Sequence, residues 1–374
     1  MDVIEKIRIL GDAAKYDSCA SSASSRKPPL TSDRIGSAVS CGICHSFTED
    51  GRCVSLFKVL QSNACSYDCK YCINAVGGNS RKTSFEPQEL ARSFMHLYMR
   101  NYVEGLFLSS AVQKDPDLTT EKMIDTVKLI RNKYRFHGYV HFKVLPGTSQ
   151  YLVRQASELS DRMSVNLEAP NSSRLSEISS VKDFKIDIIR RQAWIKRMRI
   201  PSGQTTQMVV GSSDETDMEI LKTINWEYNN VNLKRGYYSS FIPVPKTPLE
   251  FKDRTPLLRE HRLFNIDFMM RKYQMKLDEF KRIMKDGMLP KEDPKLALAK
   301  ETFDGPIEIN NAGKDELVRV PGIGPLSAQR IIKARKSSRI TRYEELHNIG
   351  VVLKRAKPFI KVDGKYQTRM GVFT

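Results

Sequence analysis

The cysteines are the residues of this 374-residue chain best suited to chemistry, and all seven lie between Cys19 and Cys72. Three of them, Cys65, Cys69 and Cys72, fall in the stretch NACSYDCKYC. On a helix the i, i+4, i+7 spacing makes a small apolar stripe, whereas in a loop three thiolates converge on one metal centre and leave a coordination position free. The flanks favour the loop. Residues 54–60 read VSLFKVL, a buried-strand pattern, and Val76, Gly77, Gly78 and Asn79 break a helix. Polar Ser66, Tyr67, Asp68 and Lys70 stand between the cysteines. An odd number of clustered thiols in a reducing compartment argues against a disulfide framework and for metal ligands.

The string Cys65-x3-Cys69-x2-Cys72, with Tyr71 just before the last cysteine, resembles the radical S-adenosylmethionine (radical SAM) motif. That resemblance implies a 4Fe-4S cluster held by the three thiolates, with SAM chelating the fourth iron. An external electron donor reduces the cluster, and cleavage of SAM yields a 5'-deoxyadenosyl radical. It also implies a partial (β/α)6, TIM-like barrel.

The elements needed to position such a loop are legible. Strand candidates at 53–61, 105–111, 139–145, 162–168, 205–211 and 236–244 alternate with helix candidates at 87–102, 119–134, 149–159, 183–199, 214–228 and 256–273. This α/β alternation predicts a parallel sheet with crossover helices, and in such a barrel chemistry belongs at the C-terminal ends of the strands. The cysteine loop follows the first strand. The second ends in Ser109 and Ser110, where radical SAM proteins often carry an acidic segment for the SAM amino group. No acid is present here, so the serine hydroxyls or backbone carbonyls are expected to serve. Asn166 and Glu168 share a face at the end of the fourth strand, and Glu168 can accept from ribose hydroxyls. Lys143 and Gln207 are weaker candidates, and together with Tyr71 these residues are the expected SAM contacts.

Four cysteines remain. Cys41 and Cys44 have C-x2-C spacing, and Cys19 and Cys53 could complete a four-thiolate site for Zn2+ or a second 4Fe-4S cluster. The surrounding 1–52 segment otherwise reads as irregular. Residues 53–284 form the expected barrel, and 285–305, with Gly287, Pro290 and Pro294 among charges, reads as a linker.

Residues 306–374 have another character. Asp315 to Val320 should form a short helix, Pro321-Gly322-Ile323-Gly324 a tight turn, and Pro325 should open a second helix. The glycines let backbone N–H groups approach a phosphate. The segment resembles a helix-hairpin-helix motif, a small all-α domain that grips nucleic-acid backbones, with Gly322, Ile323, Gly324, Arg330 and Lys333 as candidate contacts. A related half follows at Glu344 to Val351. Fourteen Lys or Arg stand against six Asp or Glu in 306–374, and the whole chain carries +18. That balance favours an anionic partner, and phosphate contacts of this kind confer little sequence specificity. The basic run RRQAWIKRMR at 190–199 is read as a helix face with Trp194 turned inward. No apolar run reaches the roughly 20 residues of a membrane span, and the start lacks a signal-peptide core, so the chain is expected to be cytoplasmic.

Over nearly the whole chain, the combination is similar to the bacterial family of DNA modification or repair radical SAM proteins. Its supporting strings are Cys41-Gly42-Ile43-Cys44-His45, the cysteine loop, Phe107-Leu108-Ser109-Ser110 and Val320 to Gly324. The resemblance implies nucleic acid as substrate, with DNA favoured by the helix-hairpin-helix tail, and suggests a uracil-DNA glycosylase-like partner. The expected activity is hydrogen abstraction from a nucleotide during repair or modification. The alternatives are tRNA modification, or a non-catalytic iron-sulfur protein that recruits the partner to DNA.

Overall fold

The computed structural model describes residues 1–14, 43–47, 53–78 and 80–366. They group into two compact units: residues 1–215 with 223–256, and residues 216–222 with 257–374.

The first unit is built on one curled sheet of seven strands in sequential order, β1 (Ile43–Phe47), β2 (Cys53–Leu60), β3 (Gly105–Ser109), β4 (Tyr139–Lys143), β5 (Arg162–Ser164), β6 (Gln204–Val210) and β7 (Leu233–Ser240). From β2 to β7 every pair is parallel. The six strand candidates are thus six neighbouring parallel strands of a half-barrel. Crossover helices α2 (Pro87–Met99), α3 (Pro116–Lys128), α4 (Gln150–Leu159), α5 (Ser172–Ile178), α6 (Arg190–Arg197) and α7 (Asp217–Asn230) connect them, the first residues of α7 grouping with the second unit.

Local chemistry sets these helices. Pro116 opens α3, and the Asp115 carboxylate accepts from the N–H groups of Asp117 and Leu118 at 2.8 and 3.1 Å. Pro87 opens α2, where Glu89 reaches back to the Glu86 N–H. Apolar faces meet the outside of the sheet through buried Phe57, Leu90, Phe94, Leu106, Leu108 and Phe142. Each contributes about 2 kcal/mol by leaving water. The inner face alternates with it and is more polar: Lys58 pairs across the ladder with Phe107, and Phe107 with His141.

The N-terminal segment holds more order than its composition suggests. Helix α1 (Val3–Ala13) is capped by Asp2, and its Lys6 pairs with Glu89 at 2.6 Å. Strand β1 pairs antiparallel with β2. The five residues of β1 are too few to announce a strand by alternation; an open sheet edge recruits them through backbone hydrogen bonds.

The second unit contains α8 (Leu257–Tyr273), α9 (Leu277–Lys281), α10 (Pro294–Thr302), β8 (Ile307–Glu308), α11 (Lys314–Arg319), α12 (Pro325–Ser337), α13 (Tyr343–Asn348), α14 (Leu353–Ala356) and β9 (Ile360–Lys361). Its described residues are helical apart from the short parallel pair β8–β9 and the turns between elements. The 285–305 stretch, expected as a linker, contains α10, which starts at Pro294 under an Asp293 cap and buries Leu298 and Ala299. Proline and charge here mark a helix start rather than a break.

Candidate functional site

The cysteine loop leaves the C-terminal end of β2 and is pinned at both ends. Gln61 donates to the Phe85 carbonyl at 2.6 Å, and Asn63 bonds the backbone of Arg81 and Thr83 at 2.9 and 2.8 Å. The Tyr67 hydroxyl donates to the Pro146 carbonyl at 3.1 Å. Cys69 is buried, while Cys65 and Cys72 are half-buried. Backbone N–H groups of Tyr67 and Asn74 point at the sulfurs of Cys65 and Cys72, each at 3.4 Å. Burial raises the Cys65 thiol above its usual range and, with Cys69 adding to it, pushes Cys72 up to about 12. Crowded, part-buried thiols become thiolates when a cationic centre neutralises them. Among the described residues no three His, Cys, Asp or Glu side chains converge closely enough for a single metal ion. A cubane cluster, whose thiolates bind different irons, asks for wider spacing. Three sulfurs on one pinned loop, two of them facing N–H donors, fit such a cluster.

Two residues from later strands and loops complete the surroundings. Glu168 is buried beyond the end of β5 with φ +64°, and the Ala169 N–H closes a three-residue turn onto the Leu167 carbonyl at 2.8 Å. Tyr71 hydrogen-bonds Glu168, and burial, with that carboxylate second, holds its phenol well above the usual range. Lys182 stands 3.8 Å from Glu168, with side chains 7% and 10% exposed, and lies close enough to Cys69 for that sulfur to be the leading charge acting on its ammonium. Burial alone would favour the neutral amine, but Cys69 and Glu168 outweigh it and raise the Lys182 pKa. Sequence reasoning missed Lys182, because its place depends on Asp68, more than a hundred residues earlier. The Asp68 carboxylate accepts from Ser179 Oγ at 2.7 Å and from the Ser180 N–H at 2.9 Å. The Lys70 N–H adds a bond to the Ile178 carbonyl at 2.9 Å.

The other expected SAM contacts divide. Asn166 and Gln207 line a small buried cavity inside the half-barrel with Phe107, His141 and Ser164. His141 Nε2 stands 2.9 Å from Ser164 Oγ, and burial drives the imidazole well below its usual pKa. Ser109 is fully buried, and the Ser110 hydroxyl donates to the Ala111 and Ser62 carbonyls at 2.8 and 3.4 Å. Ser110 therefore ties strand ends together. Lys143 is half-buried at the end of β4.

Cys19 and Cys41 lie outside the described residues. Cys44 is opposite Leu56 in the β1–β2 ladder and Cys53 opposite Phe47, which separates the two by three rungs, roughly 10 Å along the strands. The basic run at 190–199 is structural where it can be traced: the Arg191 guanidinium bonds the Thr148 and Gly147 carbonyls at 2.7 and 2.5 Å and covers Trp194.

In the second unit α11 and α12 flank the Pro321–Gly324 turn. Gly322 has φ +87°, and a Cβ there would stand 2.5 Å from the Val352 carbonyl oxygen. Its own carbonyl accepts from the Val352 N–H at 2.9 Å, which joins the first hairpin to the second. The N–H groups of Gly322 and Gly324 donate to no described residue, whereas those of Gly350, Val351 and Val352 are all engaged. Only the first turn is free to take an anion through both positions. Ile323 is fully buried, its N–H donates to the Val320 carbonyl at 3.1 Å and its carbonyl accepts from Lys295 Nζ at 2.6 Å, so it packs the hairpin and, unlike the expectation, offers nothing to a nucleic acid. Arg330 reaches the Ile349 carbonyl at 3.4 Å, and Arg335 bonds the Ile309 and Ala312 carbonyls at 2.9 and 2.7 Å. Lys333 and Lys336 are exposed.

Residues 59–226 match the model of the Radical SAM superfamily, and the cysteine loop lies within the matched stretch. Residues 304–355 match the helix-hairpin-helix motif. None of the curated proteins matches the chain. Similar solved structures include HydG, a maturase of the [FeFe]-hydrogenase, at 12% identity and TM-score 0.47 over 56% of this chain and 48% of that one. Methylornithine synthase (PylB) is 11% identical with TM-score 0.43, over 55% and 60% of the two chains. A radical SAM methyltransferase from Sphaerobacter thermophilus is 14% identical with TM-score 0.43, over 59% and 68%. The chain spans about half the length of HydG. Among the described residues no helix is long and apolar enough to cross a membrane.

Proposed function

We propose that this chain is a radical SAM enzyme that modifies or repairs DNA. The observation that carries the reading is the presence, in one chain, of a stretch matching the Radical SAM superfamily and a hairpin whose Gly322 and Gly324 N–H groups donate to no described residue. A hydrogen-bonded phosphate at that turn, with Lys333 and Lys336 adding charge, holds nucleic acid by its backbone and leaves base choice to the barrel. When bound, the cluster and SAM supply a 5'-deoxyadenosyl radical able to abstract hydrogen from a nucleotide. The chain's own residues orient that chemistry. Glu168 offers a carboxylate to ribose hydroxyls, Tyr71 fixes that carboxylate, and Asn166 and Gln207 present amides from inside the half-barrel. The chemistry requires a low-potential electron donor, and a uracil-DNA glycosylase-like protein is the partner suggested by family resemblance. Cys19, Cys41, Cys44 and Cys53 remain candidates for a second cluster or Zn2+.

The test is an anaerobic assay of 5'-deoxyadenosine with SAM and reductant, run without nucleic acid, with duplex DNA and with tRNA. Stimulation by DNA above tRNA is the expected result. Stimulation by tRNA alone moves the substrate to RNA. DNA binding without any cleavage, with the glycosylase-like partner present, supports a recruiting role instead.

A further inference from the structure

Lys182 belongs to no motif, yet the cysteine loop itself builds its position. Asp68, inside the loop, receives Ser179 and Ser180 of the segment that ends two residues before Lys182, and Lys70 bonds the same segment through Ile178. The lysine then turns into the site, almost fully buried, to reach Cys69 and Glu168. Removing an ammonium group from water is costly, and a buried ion pair is seldom a net gain in stability over an apolar pair. Hydrogen bonds from Ser179 and Ser180 to Asp68, and from Lys70 to Ile178, are therefore spent on holding a charge beside one sulfur of the three.

Resting on the radical SAM reading of the cysteine loop, we infer that Lys182 is a positioning residue that sets the charge around Cys69, and with it the reduction potential of the cluster, before SAM is bound. A cation beside a ligand sulfur stabilises the reduced, more negative cluster over the oxidised one and makes reduction easier. Glu168 acts with the opposite sign and moderates the effect. The pair would thus tune how strong a one-electron donor the enzyme needs.

The test is a redox titration of the reconstituted full chain, followed by electron paramagnetic resonance in the absence of SAM, with iron content measured for each protein. Lys182→Met should titrate at a more negative potential than the unaltered chain, Lys182→Arg should return toward it, and Glu168→Gln should move the other way. Opposite shifts are the signature, since loss of a purely structural ion pair gives no such sign rule. Superimposable titrations, or shifts of the same sign, would overturn the inference. An unchanged potential with weakened SAM binding in Lys182→Met would also overturn it and make the lysine a ligand for the SAM carboxylate. If Lys182→Met fails to retain iron, Glu168→Gln decides: a less negative potential supports the inference, and any other result overturns it.

Discussion

Glu168 and Lys182 form an ion pair at 3.8 Å, and the chain leaves its ordinary backbone range at Glu168, φ +64°, to make it. A left-handed conformation at a residue with a long side chain costs on the order of 1–3 kcal/mol and persists only where the surroundings over-determine it. Here the Glu168 N–H and C=O are held by Gln207 and Val209 at 3.0 and 2.8 Å. Strand β6 thus fixes the carboxylate at the cysteine loop, where Tyr71 and Lys182 meet it.

Breaking that pair from one side should hurt the metal-free chain more than removing it whole. Glu168→Ala leaves a buried ammonium and is expected to cost about 3 kcal/mol in urea unfolding. The double variant Glu168→Ala, Lys182→Met should cost less than the sum of the two single changes. Additive single effects would show that the two side chains are not coupled.

The two hairpin glycines should respond differently to alanine. Gly322→Ala places a Cβ in a left-handed position against the Val352 carbonyl, so both stability and duplex binding should fall. Gly324 has φ −94°, and its Cβ would meet only the Tyr273 hydroxyl at 3.6 Å. Gly324→Ala should therefore melt within a few degrees of the unaltered chain while weakening duplex binding by crowding the phosphate. Equal melting losses in the two variants would contradict this account.

Exposed Lys333 and Lys336 should act on any sequence alike. Replacing both with Ala is expected to lower the slope of log binding constant against log salt by up to about 2, since each phosphate contact contributes about 0.9. Arg335→Ala should instead lower the melting temperature, because its guanidinium holds two backbone carbonyls. Binding isotherms at several salt concentrations separate the two kinds of residue.

Glu227 in α7 gives a pH signature. It is fully buried, and burial raises its carboxyl to about 8; Gln192 lies near enough to oppose this, without a well-formed hydrogen bond to it. A raised carboxyl pKa means the folded chain binds the proton more tightly, so its contribution to stability is full below the unfolded value near 4.5 and is lost as pH rises through about 8. Melting curves at pH 5 and pH 8.5 should show a larger fall for the unaltered chain than for Glu227→Gln. Parallel falls would place the carboxylate in contact with water.

What was legible in the sequence was periodic or local. The six parallel strands announced themselves because central strands of a parallel sheet are short apolar runs, as in Gly105–Ser109, buried throughout. The cysteine loop and the Pro-Gly-Ile-Gly turn were legible because each packs its chemistry into a few consecutive residues. Contacts across long separations were not. Nothing near Lys182 points to Asp68, nothing in a glutamate predicts its left-handed backbone, and the edge strand at Ile43–Phe47 exists only because β2 offers it a partner. Ser110 shows the converse: a hydroxyl at the right strand end, spent on backbone carbonyls.

The most direct measurement counts iron and sulfide in the anaerobically reconstituted chain and follows 5'-deoxyadenosine with SAM, reductant and duplex DNA. The Cys65→Ala, Cys69→Ala, Cys72→Ala variant is measured beside it. The account predicts about four irons at the three cysteines, cleavage that DNA accelerates, and neither the irons nor the cleavage at that site in the variant. Cleavage that persists in the variant, or a fully loaded cluster that never cleaves SAM with DNA present, would contradict it.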